Sequence, residues 1–132
     1  MNDRVDKIQC RAIYPFKSDD AFETFYSGLN YSFAGDTESS IEMFARVVEM
    51  EPENPLGYNF LLMSLEFDES STEDERMKWA EEWVRVAEKS GIETQIVRAN
   101  ASLKWYKMTP KERGEAFGLR EVKHDKRANK KT

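Results

Sequence analysis

Side chains that carry catalytic chemistry are scarce in this sequence. There is one cysteine, Cys10, and one histidine, His124, so a Cys/His or Ser/His/Asp arrangement would have to bring the two ends of the chain together, and a zinc site lacks ligands. A lone cysteine forms no internal disulfide, which suits a reducing compartment. The six glycines build no phosphate loop of the form GxGxxG or GxxxxGK(S/T). Long apolar runs are missing too: FLLM at 60–63 falls far short of the ~20 residues that cross a bilayer. The start MNDRVDKIQCRAIYPF has no signal-peptide core. These absences lead us to expect a cytoplasmic protein with no metal, no cofactor and no membrane contact, and not an enzyme.

What is plentiful is charge and helical period. With 39% hydrophobic, 12% aromatic and 34% charged residues, the 132-residue chain can build one core and keep a polar surface. The net charge of -5 is unevenly spread. Residues 109–132 carry eight Lys/Arg against four acids, a surplus of +4, which leaves -9 on the remainder. The last fourteen residues, 119–132, lack aromatics on which bases could stack and are read as a disordered, solvated tail. A nucleic-acid-associated helical protein using that tail is the alternative. Acids such as Asp68, Glu69, Asp74 and Glu75 read as helix caps and solvated surface. A carboxylate-dependent hydrolase would need such acids to meet in space.

Punctuation divides the chain into helices. Asp20 with Glu23 suggests a capping box before Phe22, Phe25, Tyr26, Leu29 and Phe33, giving a helix at 20–34 that Gly35 ends. Asp36 or Thr37 then caps a helix through Ile41, Phe44, Ala45 and Val48, stopped near Met50 by Pro52. Asn54 and Pro55 open a third helix, apolar nearly all round and so expected to be buried on more than one side. Thr72 and Glu75 start a fourth, which closes at Gly91. A fifth, from Ile92 to Met108, has its stripe at Ile92, Ile96, Ala99, Leu103 and Tyr106. A short sixth begins at Thr109, Pro110 and Glu112 and is weakened by Gly114 and Gly118. Only RAIYPF at 11–16 has strand-like content, and Pro15 spoils it. The fold class expected is all-α, built of consecutive antiparallel hairpins over 20–118 behind a partly ordered segment at 1–19.

Within the thirty-four positions from 21 to 54, Gly28, Tyr31, Gly35, Phe44 and Pro52 stand where a helical hairpin needs a small residue, an aromatic, a turn glycine, a second aromatic and a closing proline. On these residues the chain resembles the tetratricopeptide repeat family. The match is fullest there, degenerate in 55–91 and reduced to a two-helix outline in 92–118. Thr24, Ser27, Ser40 and Val47 depart from the family's usual Trp, Leu, Ala and Ala. The resemblance implies a right-handed superhelix of about three units, and a generic α-bundle stays open beside it. Gly28 would let two helices approach, with Tyr31 and Phe44 filling the space between them.

The resemblance also implies a non-catalytic interaction module, adaptor- or chaperone-like, whose first helices line a concave groove for a peptide or partner helix. The residues it places in that groove are Phe22, Phe25, Leu29, Ser32, Leu56, Asn59, Met63 and Glu66. Such a lining suits an apolar or amphipathic segment, with Met63 adaptable and Asn59 bonding to partner backbone. The competing expectation is that Ile13, Tyr14 and Phe16, or a second copy of the chain in a homodimer, cover this surface. Trp79 and Trp83, four apart, are read mainly as packing between units.

Overall fold

The computed structural model describes residues 6–116. They form α1 (Lys7–Ile13), α2 (Asp19–Phe33), α3 (Thr37–Met50), α4 (Pro55–Glu66), α5 (Glu73–Ser90) and α6 (Glu93–Lys107), then a short α7 at 110–116, and they contain no strand. Each helix from α2 to α6 packs on its neighbour in the chain, and α4 also reaches α6. The fold is therefore all-α. The tail expected at 119–132 and Gly118 lie outside the described residues.

Local chemistry sets most boundaries. The Asp36 carboxylate accepts the Ser39 N–H at 3.1 Å, and Asn54 caps α4 with Pro55 as its first residue. Thr72 and Glu75 form the reciprocal capping box on α5, and Thr109 and Glu112 do the same for α7. Gly35 takes a φ of 83°, which lets the chain reverse between α2 and α3 where a side chain would be strained. Gly91, with a φ of 74°, closes α5.

Three expectations need correction. The cap of α2 is Ser18, whose hydroxyl accepts the Ala21 N–H, so Asp19 and Asp20 fall inside the first turn. The cause is tertiary: the Glu51 carboxylate takes the N–H groups of Lys17 and Ser18 at 2.8 and 2.9 Å, holding this chain extended up to residue 18. Residues 7–13 form a helix, capped by Asp6 and with Cys10 buried, where the sequence suggested at most spoiled strand. It stops because Tyr14 precedes a proline and adopts φ -111°, ψ 104°. Tyr31, expected between helices, is 41% exposed.

Two apolar clusters meet at α4. Leu61 and Leu65 join Phe25, Phe44 and Val47, whereas Tyr58 and Leu62 join Ala80, Trp83, Val86, Ala87, Ala99 and Tyr106. Val48 and Trp79 border both clusters, so Trp79 packs between units as expected. Burying an aromatic such as Phe25 or Phe44 contributes about 1.5–3 kcal/mol relative to exposure. The indole N–H of Trp83 donates to Gln95 Oε1 at 2.9 Å, joining α5 to α6 through a buried polar pair.

Gly28 has a steric role. A Cβ there would lie 2.6 Å from Cε1 of the buried Phe44 ring, so α2 approaches α3 only because this side chain is missing. Gly28→Ala should destabilise the protein by about 1–3 kcal/mol, the usual cost of overpacking, seen as a lowered urea midpoint at unchanged m-value. An unchanged midpoint would show that the Phe44 ring can move aside.

Candidate functional site

The eight residues expected to line one groove divide into three groups by burial. Phe22, Phe25, Leu56 and Asn59 are buried, Leu29 is half-buried, and Ser32, Met63 and Glu66 are exposed. Phe22 and Phe25 are therefore not an open lining, which corrects the expectation. The chain's own N-terminal segment covers them. The Tyr14 ring stands edge-on to Phe25 and Phe60, with centroids at 5.2 and 5.5 Å, and Phe16 lies 4.8 Å from Phe25. The Arg11 guanidinium caps Phe22 at 4.8 Å, and Arg11 also pairs with Asp19. Ile13 stays exposed, so only part of the competing expectation applies.

This strap is fastened by polar bonds at its far end. Besides the bonds from Glu51 to Lys17 and Ser18, Asn54 Nδ2 donates to the Pro15 carbonyl at 3.1 Å and to Glu51 Oε1 at 3.0 Å. Both carboxylate oxygens of the buried Glu51 are thereby engaged. Beside the strap runs an apolar groove of about 500 Å³ lined by Phe16, Met50, Pro52, Pro55 and Ile92. Its buried charge is satisfied, and none of its lining residues has a buried side-chain polar atom without a partner.

The hollow between α4 and α6 is different. It measures about 290 Å³ and brings together Asn59, Met63 and Glu66 from the expected set with Arg98 and Ser102 of α6, over a floor that includes Leu62 and Trp83. Asn59 is only 6% exposed, and its Nδ2 finds no acceptor among the described residues. Buried amides are normally bonded, so an unmade bond at this depth is costly. Met63, one turn on, is 43% exposed and lines the same hollow with a flexible side chain.

Glu66 Oε2 accepts the Tyr106 hydroxyl at 2.5 Å. Burial, and then that carboxylate, push the Tyr106 phenol well above its ordinary pKa, so it remains a donor throughout the physiological range. Arg98 has neither a hydrogen bond nor an ion pair among the described residues, whereas Arg11, Arg46, Arg85 and Arg113 pair with acids and Arg76 donates to Ser71. The sequence reading missed Arg98 and Ser102. No regular repeat offset leads to them; the packing of α6 beside α4 brings both to the hollow.

Among the described residues no group of three or more His, Cys, Asp or Glu side chains could hold a metal ion, and no helix is long and apolar enough to cross a membrane. The Cys10 thiol is pushed up by burial and then by Asp6, which disfavours the reactive thiolate; His124 lies outside the described residues. Compared with protein-family models, with curated proteins and with solved structures, the chain finds no match.

Asn59→Leu removes the unsatisfied amide while keeping its branched shape, with somewhat larger methyl groups beside the hollow. This variant should be more stable than the parent by about 1–3 kcal/mol, measured as a raised urea midpoint. A fall in stability would mean that the amide contributes to the fold.

Proposed function

We propose that this chain is a non-catalytic protein-interaction module of tetratricopeptide-like build, adaptor- or chaperone-like, that binds an apolar or amphipathic segment of another protein in the hollow between α4 and α6. The observation that carries the reading is the Asn59 amide, buried and without an acceptor at the edge of an open hollow, beside a half-exposed methionine. A bound peptide supplies the missing acceptor, and its side chains cover Met63. The strap narrows the binding region, since Tyr14 and Phe16 already fill the aromatic half that α2 and α4 would otherwise present. Recognition then rests on the α4 and α6 faces, with Asn59, Met63 and Glu66 kept from the expected set and Arg98 and Ser102 added.

Peptides selected from a random displayed library on the full chain provide the test. Met63→Glu places a charge on the exposed rim without touching either apolar cluster, and it should weaken the selected peptides by about tenfold or more at unchanged circular dichroism. Undiminished binding by the folded variant would overturn the reading. Removing residues 117–132 should leave peptide affinity within about twofold, whereas a large loss with steep salt dependence would move the interaction to the basic tail.

A further inference from the structure

Resting on the groove reading, we propose that the α4–α6 hollow selects an extended peptide carrying a carboxylate side chain and, three residues away, a cationic one. The carboxylate meets Arg98 and the Asn59 amide, and the cation meets Glu66.

The charges in the hollow are arranged for such a ligand. Among the described residues neither Arg98 nor the Asn59 amide nitrogen has an acceptor, and both residues line the hollow. Every other arginine among the described residues has an acid or a hydroxyl and carbonyl to bond, so Arg98, exposed at the hollow, is the one guanidinium with no partner among them. Glu66 lies at the opposite end, where Tyr106 fixes one carboxylate oxygen at 2.5 Å and the exposed side chain leaves the other for an incoming donor. Between the two ends stand Met63, Ala101 and Ser102, none of them charged.

Spacing sets the ligand's register. Asn59 and Glu66 stand seven positions apart on α4, a rise of about 10 Å along the helix. An extended chain covers about 3.3–3.6 Å per residue, so three peptide residues span the same distance. A ligand with acids at both ends meets repulsion at Glu66, and one with bases at both ends meets it at Arg98. A polyanion such as a nucleic acid is disfavoured for the first reason. The two charges therefore impose an order on the ligand as well as a composition, and like-charge juxtaposition rejects the wrong order.

Labelled peptides of one length, read by fluorescence anisotropy on the full chain, test this directly. One bears an acid three residues before a base, a second has the two exchanged, a third carries two acids and a fourth two bases. One of the two mixed peptides should bind about tenfold tighter than either like-charged peptide, as expected for charge-assisted hydrogen bonds made in a partly desolvated hollow. Arg98→Glu should erase that preference and transfer it to the two-base peptide, while Glu66→Gln, which still accepts the Tyr106 hydroxyl, should weaken only the discrimination at the basic end. Both positions are exposed, so folded variants are expected, and circular dichroism checks this. Equal binding of all four peptides, still lost in Met63→Glu, would overturn the charge-ordered ligand and leave the groove reading standing. Binding that is indifferent to Met63→Glu would remove both.

Discussion

The fold depends on α4 being packed from two sides at once. Leu61 and Leu65 complete the cluster built on Phe25, Phe44 and Val47, and Tyr58 and Leu62 complete the one built on Trp83, Val86 and Tyr106. A twelve-residue helix so enclosed has little surface left for polar groups. Those it carries are nearly all bonded: the Ser40 hydroxyl donates to Ser64 at 3.1 Å across the α3 contact, and the Tyr58 hydroxyl donates to the Pro52 carbonyl at 2.9 Å. Asn59 is the exception, and it falls on the one side of α4 that neither cluster closes.

The strap shows how the molecule manages its other open face. An aromatic floor of Phe22, Phe25 and Phe60 left to water would forfeit much of what its burial contributes. Tyr14 and Phe16 cover it, and Glu51 and Asn54 lock the covering segment through backbone bonds that need no particular side chain on the strap. The two halves of the α2–α4–α6 face thus differ in kind. One is satisfied internally by aromatic contacts, and the other retains an amide and a guanidinium unpaired among the described residues. Local departures from self-consistency of this sort are where binding sites tend to lie, because a ligand can supply what the chain omits.

Much of the architecture was legible because helix boundaries are written in short-range chemistry. Asn54 with Pro55, Thr72 with Glu75, and Gly35 and Gly91 act on backbone groups within a few residues of themselves, so no tertiary knowledge is needed to read them. Ser18 was misread because the bond that sets it comes from Glu51, more than thirty residues away. Helix α1 was missed because its seven residues hold too few turns to show a period and sit beside a proline that favours extended chain. Of the candidate site, Asn59, Met63 and Glu66 were legible from their place on a first helix. Arg98 and Ser102 lay in the unit where the repeat pattern fades, and nothing local marks them.

By itself the sequence determined where helices start and stop, which of their faces are apolar, and that α4 must be covered on more than one side, since capping and periodicity are local properties. Only the tertiary structure decided which expected groove residues stay open. That choice depends on the reach of the strap and on the depth at which α4 and α6 bring Asn59, Arg98 and Glu66 around one hollow. Proximity between residues some forty positions apart is fixed by packing, and no pattern confined to neighbouring residues encodes it.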